Sequence, residues 1–128
     1  MLKDAPIAPT IPASDMAVAK QFYGETLGLG DSQEFPDGSL MFNCGQGTSL
    51  LVYSTAQNAG KSPATCAGWN VTDIEAVVAG LTQKGVTFEQ YDQPPVKTDE
   101  HGIATLGDLK AAWFKDPDGN ILAVNQMM

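Results

Sequence analysis

Ile11-Pro12-Ala13-Ser14-Asp15-Met16 is echoed 58 residues later by Trp69-Asn70-Val71-Thr72-Asp73-Ile74. In each copy a short apolar run meets Ser/Thr-Asp, an apolar-periodic helix follows, and a glycine stops it, at Gly28 and at Gly85. A hydroxyl at such a junction can accept from the free N–H groups of the first turn, so Ser14 reads as an N-cap with Asp15 at the positive helix end. Thr72 and Glu75 have the spacing of a capping box. Met16, Ala19, Phe22, Tyr23 and Leu27 recur at helical spacing in the first copy, and Ile74, Val77, Val78 and Leu81 do so in the second.

The flanks of both helices read as strands. Ile7–Pro12 is a short, Pro-interrupted apolar run that suits an edge strand or a strand end. Phe35-Pro36-Asp37-Gly38 is a hairpin signal between strands near Gly30–Phe35 and Ser39–Cys44, and Gly45-Gln46-Gly47 turns the chain into a strongly apolar Thr48–Ser54. Ala56–Pro63 is polar and serves as a linker. Beyond it, Cys66–Val71 and Val86–Tyr91 read as strands around the second helix. Ala111–Lys115 and Asn120–Gln126 form a hairpin about Asp116-Pro117-Asp118-Gly119-Asn120. Asp92–Leu109, long and polar, reads as a lid, a binding loop or a disordered segment. The pattern is βαβββ written twice, over residues 5–55 and 64–127 of a single domain. It predicts an α+β fold whose tandem modules form a curved sheet around a cleft, with the helices on one side.

The chain has 128 residues, 43% hydrophobic and 17% charged, enough for a core without metal or disulfide support. Its formal charge of −8, with seven scattered basic residues, excludes a phosphate-binding surface and therefore nucleic acid. The same charge favours a cationic ligand, or simply keeps the protein soluble. No apolar run approaches the roughly 18 residues of a membrane span, and no signal-peptide core opens the chain, so the expected compartment is cytoplasmic. Cys44 and Cys66 form no redox or metal motif and are expected to be reduced.

Ile11-Pro12-Ala13-Ser14-Asp15, Phe22-Tyr23, Leu27-Gly28-Leu29 and Trp113-Phe114-Lys115-Asp116-Pro117-Asp118-Gly119-Asn120 together resemble the vicinal oxygen chelate superfamily. That group includes glyoxalase I, extradiol dioxygenases, fosfomycin-resistance transferases and bleomycin-resistance proteins. The resemblance implies paired βαβββ modules around a cleft, commonly in a homodimer, with a divalent metal held by four side chains. Carried over by motif, those four positions are Ala8, Leu51, Cys66 and Ala123. Three of them have no donor atom, and one thiol does not make a metal site. No metal, no cofactor and no catalytic residue is therefore expected.

Period-two alternation supplies a binding surface in place of the ligands. Thr10, Leu51, Tyr53, Cys66, Gly68, Asn70, Ala123 and Asn125 fall on the faces turned away from the helices, with Ala8 beside them. Trp69 and Val71 face the helix. Trp113, with Tyr91, could stack on a planar or cationic ligand, or belong to the core. His101, the one histidine, reads as a lid contact, a general base or a solvated loop side chain. Three functions remain open. The first is a metal-independent small-molecule binding protein of the bleomycin-resistance type. The second is a glyoxalase- or dioxygenase-like enzyme with an unorthodox site involving Cys66 and His101. The third is a structural or regulatory protein with a closed cleft.

Overall fold

The computed structural model describes residues 1–127. The chain divides into two compact units, Met1–Ala59 and Gly60–Met128, and both are α+β. The first contains β1 (Thr10–Ala13), α1 (Met16–Gln21), β2 (Ser32–Glu34), β3 (Leu40–Asn43) and β4 (Ser49–Ser54). Its sheet order is β1-β4-β3-β2, with β1 parallel to β4 and the other neighbours antiparallel. The Pro-containing β1 therefore lies at an edge, where a missing N–H costs no ladder bond.

In this unit Ile11, Leu40 and Val52 lie in one row across the sheet and are 0–1% exposed. Phe42 and Leu50 extend that face, and α1 packs against β4. Tyr23 is fully buried, edge-on to Phe22 at 5.2 Å and 6.1 Å from Phe42. Burying side chains of this size contributes about 1.5–3 kcal/mol each before entropy is counted. The helix departs from the expected uniform α spacing. Phe22–Thr26 is a π-helical turn in which the Leu27 N–H donates to Phe22 O at 2.9 Å. The cap also differs by one residue: the Asp15 carboxylate, not the Ser14 hydroxyl, accepts from the Ala17 and Val18 N–H groups.

The second unit contains β5 (Thr65–Asn70), α2 (Ile74–Gln83), a small β6–β7 ladder (Asp92–Gln93, Val96–Lys97), β8 (Ile103–Leu106), β9 (Leu109–Lys115) and β10 (Ile121–Met127). Its four-stranded order, β5-β10-β9-β8, repeats the connectivity of the first unit, with β5 parallel to β10. Leu122, Val124, Ala112 and Phe114 are 0–3% exposed, and α2, burying Ile74 and Val78, packs against β9 and β10. The expected Thr72–Glu75 capping box is absent. Asp73 caps α2 through the Ala76 N–H, Gln126 Oε1 accepts from the Ile74 N–H, and Glu75 turns outward to Lys110 Nζ at 2.7 Å. At the other end the Val86 N–H donates to Leu81 O and the Gly85 N–H to Thr82 O. That Schellman closure needs the left-handed φ of +95° that Gly85 supplies.

Two expectations for this unit are corrected. Val86–Tyr91 is not a strand: it touches β9 through one bridge, Phe88 to Phe114, and the bond from Glu89 N–H to Trp113 O. Asp92–Leu109 is not an unstructured loop, because it holds the β6–β7 ladder and all of β8. β8 and β9 are joined by Gly107-Asp108, a two-residue hairpin signal that marks Ile103–Leu106 as the sheet strand. Pairing along four residues outweighs the β propensity of Val86–Tyr91, whose place beside β9 is limited to the part that β8 leaves open.

The Asp116–Asn120 turn joins β9 to β10 as expected, and Asp116, the first of its two acidic residues, is buried at 6% exposure. Asp116 Oδ1 accepts from the Asp118 and Asn120 N–H groups, and Oδ2 accepts from Asn120 Nδ2 at 2.8 Å. Asn120 Oδ1 in turn accepts from the Gly60 N–H at 3.1 Å, tying the start of this unit to its last hairpin. Asp116→Ala strands several buried donors and is expected to lower stability by about 2–3 kcal/mol. Urea unfolding should show a lower midpoint with an unchanged slope.

Candidate ligand-binding site

In the first unit the face opposite the buried row is the more accessible one; in the second that face is mixed, with Gly68 and Asn70 exposed, Trp113 and Asn125 half-buried, and Ala104, Ala111 and Ala123 buried. Strand register decides which side chains each face carries. In the first unit Thr10, Leu51, Met41 and Gln33 form one row across all four strands, and Pro12 with Tyr53 forms the next. Thr10 is exposed, while Leu51, Met41 and Tyr53 are half-buried. In the second unit Gly68, Ala123 and Trp113 form one row, and Asn70, Asn125, Ala111 and Ala104 the next. The register thus brings Thr10, Leu51 and Tyr53 onto one surface, and Gly68, Asn70, Trp113, Ala123 and Asn125 onto another.

Small residues leave the second surface room for polar groups. A methyl group at Gly68 would lie 2.9 Å from Asn125 Nδ2, so the Asn125 amide lies over the glycine. Asn70, on the edge strand, is paired with Asn125 along the ladder. Further along the same face Trp113 meets Tyr91 edge-on, with ring centroids 5.4 Å apart. A cavity of about 290 Å³ opens there, lined by Pro63, Thr65, Tyr91, Gln93, Val96, Trp113 and Ile121. Its volume is at the lower end of small-molecule sites. Burial and the neighbouring Glu89 carboxylate push the Tyr91 phenol above its usual range, so it remains a hydrogen-bond donor at neutral pH. Gln93 and Val96 belong to the β6–β7 ladder, which has no signal in the polar Asp92–Leu109 stretch, and Thr65 lies one residue before the expected start of its strand. Met41 could have been found from its alternation with Leu40 and Phe42.

Cys66 and His101 stand apart from that arrangement. The register shifts between Ile121 and Leu122, leaving Cys66 as an extra residue in a bulge of β5. Its Sγ lies 3.3 Å from Ile121 O. Burial, with the Asp116 charge, pushes its thiol above the usual range, opposite to what a nucleophile needs. His101 precedes β8 at the other edge of the sheet, in a turn held by Asp99 Oδ1, which accepts from the His101 and Ile103 N–H groups. Two strands separate β5 from β8, a span of roughly 14 Å between their axes. Cys66 and His101 therefore do not converge on one reacting group. Both cysteines are free thiols.

The donor set does not fit a metal. Ala8, Leu51 and Ala123 have no coordinating atom, the Cys66 thiol is held protonated, and among the described residues no three His, Cys, Asp or Glu side chains cluster.

Residues 7–124 match the family described as the glyoxalase/bleomycin resistance protein/dioxygenase superfamily. The chain belongs to that superfamily. Among solved structures it is similar to TnmS3, an antibiotic-binding protein from Streptomyces sp. CB03234, at 26% identity and a TM-score of 0.67, covering 100% of this chain and 99% of that one. A glyoxalase/bleomycin resistance protein from the same organism is 26% identical with a TM-score of 0.65, covering 95% and 100%. A glyoxalase family protein from Enterococcus faecalis shares the fold at 24% identity and a TM-score of 0.67, covering 98% and 99%. No curated protein sequence matches. No helix among the described residues is long and apolar enough to cross a membrane.

The raised thiol pKa has a direct consequence. Cys66 holds its proton more tightly folded than unfolded, so this contribution to stability is present below the unfolded thiol pKa and is lost as pH rises towards the folded value. At about pH 8, iodoacetamide should alkylate Cys66 more slowly in the native protein than in the urea-unfolded chain, as peptide mass mapping would report. Equal rates would contradict the half-buried, carbonyl-facing thiol.

Proposed function

We propose that this superfamily member is a metal-independent binding protein that sequesters a small molecule in a cleft of a homodimer. The observation that carries this reading is that the positions matched to the family's metal ligands are Ala8, Leu51, Cys66 and Ala123, while Leu51 and Ala123 share their faces with aromatic and amide side chains. The likeness to an antibiotic-binding protein supports the same reading. The ligand is cationic, because a chain of formal charge −8 attracts cations and repels anions. Thr10, Tyr53, Asn70 and Asn125 supply hydrogen bonds, Trp113 supplies a stacking surface, and Gly68 and Ala123 leave space. His101 contributes as a ligand contact only if the bound molecule extends to the far edge of the sheet.

Native mass spectrometry of the protein as isolated, followed by titration with bleomycin as a cationic test compound, examines oligomer, metal and ligand together. The expected result is a dimer without stoichiometric metal, and binding that EDTA leaves unchanged. A metal-loaded protein that turns over the thiol adduct of methylglyoxal would overturn the proposal.

Two substitutions probe the surface itself. Trp113→Ala should weaken binding about tenfold or more by removing the stacking face. Gly68→Ala should displace the Asn125 amide and lower affinity, while thermal unfolding moves little because the obstruction is the end of a flexible side chain. Unchanged affinity in both variants, measured by calorimetry, would place the ligand elsewhere.

A further inference from the structure

A second cavity, of about 550 Å³, opens on the helix side of the second unit, between α2 and the segments around residues 86–90 and 100–103. Its inner wall is apolar: Val78, Val86, Phe88 and Ile103 are 3–7% exposed. The Thr82 hydroxyl donates to Val78 O within the helix, leaving its methyl group as the remaining surface. The polar lining residues besides Thr82, namely Glu75, Thr87, Gln90, Glu100 and His101, are all exposed, and among the described residues no Lys or Arg lines the cavity. Lys110 offsets Glu75 through its 2.7 Å bond and holds that carboxyl below its usual range. The Glu100 carboxylate lies 3.5 Å from the imidazole of His101, and both are largely exposed. The mouth therefore keeps a negative charge above an apolar wall large enough for a small organic molecule.

We infer that this cavity is a second binding site, separate from the sheet surface carrying Trp113, and that it takes small organic cations with an apolar body. The apolar part enters between Val78, Phe88 and Ile103, and the cationic group remains at the mouth beside Glu100. Phe88 is already edge-on to Phe114 at 5.4 Å, so the wall is pre-organised. His101 belongs to this mouth, which accounts for its position far from the other candidate residues. The inference stands whether or not the sheet surface binds a ligand.

The test uses benzyltrimethylammonium, followed by proton NMR at constant pH. Because His101 is the one histidine, its imidazole signals report this cavity alone, while the Trp113 indole N–H reports the sheet surface. Saturable shifts at His101 are expected at about millimolar concentration. Ala79 is exposed on α2 and lines the cavity, so Ala79→Trp can cover it and should reduce affinity about tenfold or more. Glu100→Gln leaves the fold's packing untouched and should reduce affinity about two- to fivefold. Benzenesulfonate, of similar size and opposite charge, should leave His101 unmoved. A His101 signal that does not shift, that responds equally to benzenesulfonate, or that keeps its full response in both variants overturns the inference.

Discussion

Each unit depends on one constraint: its first strand lies parallel against its last. Adjacent parallel strands cannot be joined by a tight turn, so the chain must cross over, and the helix with the intervening strands makes that crossing. β1 against β4 and β5 against β10 fix the two sheet orders. The same pairings place Thr10 opposite Leu51 and Gly68 opposite Ala123, setting which side chains share an accessible face. Helix packing against the reverse face then buries the Ile11–Val52–Leu40 row and its counterpart around Leu122 and Val124.

The superfamily's scaffold and its metal chemistry are separable in this chain. Pairing, the Schellman closure at Gly85 and the buried Asp116–Asn120 turn are satisfied by backbone groups and a few local side chains. None of these needs a metal. Leu51 and Ala123, on the faces opposite the buried rows, carry no coordinating atom. Those faces carry the Asn70 and Asn125 amides and the Trp113–Tyr91 aromatic corner.

Acidic side chains reinforce the division of labour. Asp15, Asp73, Asp99 and Asp116 each accept local backbone N–H groups and so stabilise helix starts or turns. The carboxylates with fewer structural partners, Glu100 among them, contribute to the external field instead. Charge that looks uniform in the composition thus includes carboxylates committed to backbone N–H groups and others left at the surface.

Much of the architecture was legible in the sequence because its signals are local. The repeated Ser/Thr-Asp junctions, the glycine stops and the Asp-Pro-Asp-Gly turn report backbone geometry within a few residues, and the period-two faces of Leu51/Tyr53 and Ala123/Asn125 follow from the pleat. The caps moved by one residue because a carboxylate competed successfully with the neighbouring hydroxyl. Only tertiary structure decided that Ile103–Leu106, not Val86–Tyr91, completes the second sheet, since both are β-prone and the choice rests on pairing with β9. It also decided that Cys66 sits in a bulge at one sheet edge and His101 at the other. Those positions depend on how strands stack side by side, and separation across a sheet has no counterpart in separation along a chain.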